Sequence, residues 1–318
     1  MIFVDKKQFN NVILSNLIIT EGFDSFGYPS PVKPKTLTPT VENTVEIHTN
    51  YYSPFAFHTF LQEMKKEHKA AYNAYNSGSG QELTPQAFAP PKMASIASSS
   101  RFCYLALRKN TIALGGTSKA IFEARCPIAG VKNATANLDA HIKDDNVNIY
   151  VEAKCQEIFD NHKHEMRIPY WDCIYGNING IGFNLEATQP KPVDTGKNYF
   201  DIPMNIFGLN NIKRFDFKQF LCHLLGIASQ NKKDNEAATL CYMFFKPLSN
   251  DPEIKSSIDD IFKNLEIEIK AIFTNSYIQT FCKNNNITLT AIAEAAKTME
   301  PLTNSNKRLL FPDPLSKP

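Results

Sequence analysis

What this 318-residue chain lacks removes several function classes at once. Its seven cysteines include no C-x-x-C pair, so a zinc module of the usual spacing is excluded. There is no G-x-S-x-G and no P-loop, which leaves no support for a nucleophile-elbow hydrolase or a P-loop nucleotidase. The Gly115-Gly116 pair is only a turn signal. No apolar run reaches about 18 residues, the length expected of a membrane span. Net charge is only +2, so any basic surface for nucleic acid must be local. No internal repeat is visible. The cysteines are odd in number and several fall inside predicted strands or helices, where a free thiol behaves as a small hydrophobe. With an opening, MIFVDKKQFNNVIL, that has no signal-peptide layout, they lead to the expectation of a cytoplasmic protein without a membrane partner.

Hydrophobic residues at 43% and charged residues at 21% are an ordinary globular balance, and the length allows one large domain or two. The stretch that organises the chain is NLDAHIKDDNVNIYVEAKC, residues 137–155. Its alternation predicts two antiparallel strands around a Lys143-Asp144-Asp145-Asn146 turn. Leu138, Ala140 and Ile142 share an apolar face with Ile149, Val151, Ala153 and Cys155. Asp139, Glu152 and Lys154 then fall together on the opposite face, expected to be exposed. Two adjacent carboxylates repel, and a hard divalent cation relieves that repulsion. A lysine two residues beyond the second acid suits a metal-activated water. Taken alone, an E-x-K on a strand equally suits a solvated sheet face.

This segment resembles the active-site hairpin of the PD-(D/E)XK nuclease superfamily, in which a strand-borne Asp precedes a second strand carrying E-x-K. Leu138 stands where the superfamily name has proline. The Asn137-Leu138-Asp139 form, with FDFKQFLCHLLGI at 215–227, resembles a restriction-endonuclease-like branch of bacterial proteins, over roughly residues 95–246. The resemblance implies an α/β (α+β) fold: a mixed central sheet flanked by helices. It implies Mg²⁺, with Mn²⁺ as a substitute, held by Asp139, Glu152 and the Ala153 carbonyl, and catalysis by Asp139, Glu152 and Lys154. It also implies that the 214–229 helix lies beside the catalytic strand, making Lys218 and Gln219 supporting residues. The helix before the first core strand often carries an extra Glu in this superfamily; here it has no acid, and the nearest is Glu123, a supporting acid or a plain strand-surface charge.

The remaining chain divides into an N-terminal arm and helix (1–92), a core (93–250) with an insertion at 160–212, and a C-terminal helical cap (251–318). A proline- and threonine-rich run, GYPSPVKPKTLTPT, should be extended. A helix is predicted over 53–76, capped by Ser53, and another over 93–108. A strand is predicted at 120–128. Lys132 leads into the hairpin, and Lys163 and Arg167 precede Trp171; basic groups interleaved with aromatics suit DNA, or an exposed loop with one buried Trp anchor. Residues 176–210 read as an irregular lid or recognition element. The strongest helix, 214–229, is capped by Asp216 and places Gln219 and His223 one turn apart, as active-site support or a hydrogen-bonded flank. An apolar strand follows at 238–246. Residues 251–284 and 288–298 read as helical, with an irregular tail after them.

The expected function is Mg²⁺-dependent endonuclease action on double-stranded DNA, of the restriction type, with a homodimer suiting symmetric cleavage. A structure-specific repair or recombination nuclease and a non-catalytic DNA-binding module of the same fold are the alternatives.

Overall fold

The computed structural model describes residues 5–21, 28–29, 47–48, 51–52, 54–78, 81–85, 90–109, 111–145, 147–160, 162–186, 191 and 199–311. Most of the proline-rich run, the Ser53 cap and the last seven residues lie outside that set.

Six strands make one mixed sheet: β1 (Ile121–Pro127), β2 (Thr135–Lys143), β3 (Asn148–Lys154), β4 (Ala238–Pro247), β5 (Ile287–Ala296) and β6 (Lys307–Phe311). Their order is β6-β5-β4-β3-β2-β1. The three central strands β3, β4 and β5 run parallel, and the outer pairs are antiparallel. The β2–β3 hairpin keeps the register Lys143↔Asn148. It closes where Asp144 and Val147 bond to one another, Asp144 N–H to Val147 O and Val147 N–H to Asp144 Oδ1. A parallel neighbour needs a long crossover, and helices supply it. The insertion and α5 (Phe217–Asp234) link β3 to β4, and α6 (Pro252–Phe273) with α7 (Ser276–Asn284) links β4 to β5.

Helices cover both faces of the sheet. β4 shows this by alternation: Tyr242 and Phe244 pack against Phe215 on the α5 side, while Phe245 packs against Phe102 of α4 (Ser99–Leu107) on the other. Before α4 in the chain come α1 (Lys6–Glu21), α2 (Pro54–Glu67) and α3 (Lys69–Ser77). Gly226 lets α5 approach the sheet closely, since a Cβ there would meet Ala136 Cβ at 2.6 Å and Cys126 O at 2.9 Å.

Several expectations are corrected. The functional face of the hairpin is not open to water, because α5 lies on it and β4 flanks β3; Glu152 is buried. Residues 288–298 are not helical: Ile287–Ala296 is a sheet strand. With both faces covered, an interior strand loses its polar alternation and can be mistaken for a helix. Part of the supposed tail, Lys307–Phe311, is the edge strand β6. The 93–108 helix starts only at Ser99, with Ser98 accepting from Arg101 N–H, and Lys92–Ala94 is a separate 3₁₀ turn. The 53–76 helix divides at His68, and the 251–284 helix divides after Phe273. The first helix is no free arm. Phe9, Ile13 and Leu17 are buried, and Asn16 Nδ2 donates to Leu248 O at 2.8 Å and Lys297 O at 2.9 Å. Described parts of the insertion are anchored too: Glu165–Arg167 pairs with Tyr199–Asp201, and Phe183 stacks on Phe281 of α7.

Candidate active site

The site forms where the hairpin opens. β2 and β3 pair as far as Ala140↔Val151 and stop. One residue on, Asp139 supplies its side chain in place of a ladder partner: Oδ2 accepts from Ala153 N–H at 2.7 Å. An extended residue turns its N–H and C=O toward the same neighbour, so the Ala153 carbonyl lies on the Asp139 side as well.

Glu152 is the hub. Its Oε1 accepts from Lys154 Nζ at 2.8 Å and from Gln219 Nε2 at 2.8 Å. Lys154 Nζ also donates to Gln219 Oε1 at 2.7 Å, which closes a three-membered ring of contacts. On the other carboxylate oxygen, His223 Nε2 stands 3.6 Å from Oε2. Residues four apart on a helix share a face, and this is how Gln219 and His223 both reach one carboxylate. Asp216 begins the helix, with Oδ1 accepting from Gln219 N–H at 2.9 Å.

The tautomer of His223 follows from its partners. Nε2 lies 3.2 Å from the Asn137 carbonyl, which can only accept, so Nε2 carries the proton. Nδ1 therefore accepts from the Tyr242 hydroxyl at 3.0 Å. Burial keeps this imidazole below its ordinary pKa, even with Glu152 opposing.

The electrostatics are those of a site short of positive charge. Burial, then the Glu152 charge, pushes the Asp139 carboxyl well above the usual carboxylate range, against the Lys154 charge and the Ala153 hydrogen bond. Burial alone would lower Lys154, but the Glu152 and Glu157 charges override it and hold its ammonium above the ordinary lysine value. Lys154 is thus a fixed cation. Burial, then the charges of Glu82 and Glu152, raises Glu123 to about 7. Behind Lys154, His162 Nδ1 lies 3.5 Å from Asp216 Oδ2; burial raises the Asp216 carboxyl, but the His162 bond, the Gln219 N–H and the His162 and Lys154 charges together bring it down to about 2.

The structure brings together Asp139, Glu152, Ala153, Lys154, Gln219 and His223. Glu123 is half-buried, with a left-handed backbone (φ 56°), and its charge reaches both Asp139 and Glu152. Lys218 is half-buried without a bond to the ring. Lys132, Lys163 and Arg167 are exposed. The Trp171 ring is buried, 4.2 Å from Tyr175 and 5.1 Å from Phe200, as the anchor alternative expected. Sequence reading assigns no site role to Tyr242. Tyr242 sits inside an unbroken apolar run that reads as core, and only its register, opposite Glu152, exposes its role.

Two carboxylates and a carbonyl are hard oxygen donors, and mutual repulsion of the acids suits a divalent cation. Among the described residues no group of three or more His, Cys, Asp or Glu side chains is placed to hold a metal, so a cation here would depend on the carbonyl and on water or substrate oxygens. Among the described residues, too, no helix is long and apolar enough to cross a membrane. No family model, curated protein or solved structure matches the chain.

Proposed function

We propose that this protein is a Mg²⁺-dependent endodeoxyribonuclease with a restriction-endonuclease-like fold, hydrolysing phosphodiester bonds of double-stranded DNA. The observation that carries the reading is the Glu152 hub: a buried carboxylate bonded to Lys154 and Gln219, one residue from the backbone N–H that Asp139 caps. A solvated sheet charge has no reason to be buried with three polar partners.

Asp139, Glu152 and the Ala153 carbonyl would hold the Mg²⁺, which when bound supplies an activated water and charge compensation at the phosphate. Lys154 stays protonated and offsets the negative charge that builds on the phosphoryl oxygens; it is not the base. Gln219 positions both Lys154 and Glu152. His223, as the Nε2–H tautomer, donates to the Asn137 carbonyl and lies 3.6 Å from the second oxygen of Glu152.

The test is cleavage of unmethylated plasmid and phage DNA with Mg²⁺ by the native chain, Asp139→Ala and Lys154→Ala. Discrete fragments from the native chain alone support restriction-type action. Smearing or nicking lost in both variants points to repair or recombination. Absence of cleavage by folded protein, or equal cleavage by all three, overturns the assignment and leaves a DNA-binding module.

A further inference from the structure

A second concavity lies on the α4 side of the sheet, between the start of α3, the end of α4 and the residues leading into β1. It encloses about 420 Å³, within the size range of small-molecule sites. Its polar wall is His68, Lys69, Arg108 and Lys119, with Glu67 as the only acid among the lining residues. Among the described residues no carboxylate forms an ion pair with Lys69, Arg108 or Lys119. The Arg108 Nε is buried and has no hydrogen-bond partner. That nitrogen is closed off from the cavity, so a ligand would meet the outer nitrogens of the half-buried guanidinium, whose carbon lies 5.6 Å from the centre of the Tyr104 ring. Burial, then the Arg108 charge, keeps His68 below its ordinary pKa, with the Glu67 charge opposing. The floor is apolar, from Ala71, Ala74 and Phe122. Nothing in the proposed cleavage chemistry uses any of these groups.

We propose that this pocket binds a small phosphorylated molecule, its phosphate on Arg108 and Lys119 and its carbon body on the Ala71, Ala74 and Phe122 floor. Arg108 offers the fork that a phosphate accepts from, and Lys119 adds a point charge at the mouth. A bare phosphate would leave the apolar floor uncovered, so a phosphate monoester of mononucleotide size fits better than the inorganic ion. The inference is independent of the nuclease reading.

The experiment is calorimetric titration of the full chain, in EDTA so that no DNA is cut, with inorganic phosphate, thymidine 5′-monophosphate and a short blunt DNA duplex. The expected result is saturable binding of the monophosphate, weaker binding of phosphate, and roughly tenfold loss for the monophosphate in Lys119→Glu and in Arg108→Gln, as for one charge-assisted bond. Lys283→Glu, an exposed charge change on α7, should leave binding unchanged. Lys119 is itself exposed, so Lys119→Glu keeps the fold even if Arg108→Gln does not. No heat with either small phosphate overturns the proposal. So does equal weakening in Lys283→Glu, which would mark a general charge effect. Duplex binding lost in Lys119→Glu without mononucleotide binding also overturns it, and would assign the patch to the nucleic-acid backbone instead.

Discussion

Lys154 and Gln219 meet at 2.7 Å, ammonium to amide oxygen, and the same amide turns its nitrogen to the Glu152 oxygen that Lys154 already holds. Gln219 thereby satisfies both ends of a buried ion pair. Removing one charge of such a pair strands the other, and the cost exceeds what the pair itself contributes. Lys154→Met should cost about 3 kcal/mol in urea unfolding at neutral pH. The double variant Glu152→Gln with Lys154→Met should recover most of that loss while remaining inactive. A single-variant loss within ~0.5 kcal/mol, the range of ordinary surface changes, would mean that the pair is not buried in solution.

The Tyr242 hydroxyl is the donor that fixes the His223 tautomer. Tyr242→Phe leaves Nδ1 buried without a partner, at a cost of roughly 1–3 kcal/mol. The imidazole is then freer to place its proton on either nitrogen. Cleavage should fall more than stability alone explains, because the Nε2–H that faces Asn137 and Glu152 is no longer enforced. The check is the cleavage rate under conditions where both proteins are fully folded. An unchanged rate would remove His223 from the site.

Metal linkage gives the next outcome. Burial and the Glu152 charge keep the Asp139 proton on to higher pH than in the unfolded chain. A divalent cation must displace that proton, so Mg²⁺ binding should release protons and weaken as pH falls. Thermal stabilisation by Mg²⁺ should grow as pH rises in the native chain, and should be absent in Asp139→Ala. EDTA should abolish cleavage and added Mg²⁺ should restore it. A Mg²⁺ shift that is equal in both proteins would place the ion elsewhere.

How much of this was legible beforehand divides by element. The alternation around Asp139, Glu152 and Lys154 was readable because a hairpin is a local structure with a period of two, and the register followed it. Gln219 and His223 were readable as a pair from helical spacing. What escaped was set by distant chain. Glu152 is buried by α5 and β4, neither of which is near it in sequence. The Ile287–Ala296 strand was mistaken for helix because both its faces are covered and its residues, ITLTAIAEAA, carry no clean period. Lys307–Phe311 read as tail because an exposed edge strand shows little hydrophobic signal. Tyr242 looked like core, and only sheet pairing reveals the hydroxyl's partner.

Helix position is the quantity that Gly226 controls. A methyl group there meets Ala136 and the Cys126 carbonyl at distances that atoms do not adopt, so α5 must shift outward. Gly226→Ala should cost about 1–3 kcal/mol, despite the better helix propensity of alanine. Because Gln219 and His223 ride on the same helix, cleavage should drop under conditions where the variant is still folded. Retained activity and stability would show that the sheet, not the helix, accommodates the methyl.

Glu294 makes a prediction about pH that the active site does not touch. It is fully buried in β5; Oε1 accepts from Glu300 N–H at 3.0 Å and Oε2 has no partner. Burial raises its carboxyl to about 8, so the folded protein keeps a proton that the unfolded chain gives up near the ordinary value of 4.5. The folded state then binds more protons than the unfolded one across that interval, and stability must fall as pH rises through it. The contribution is fully present below the ordinary value and is lost by about pH 8. Glu294→Gln keeps the acceptor for Glu300 N–H and cannot ionise. Relative to the native chain, this variant should gain stability steadily from pH 5 to pH 8 in urea unfolding, with the difference flattening above pH 8. A difference that does not change with pH would show that Glu294 ionises freely, through water reaching its unpartnered oxygen.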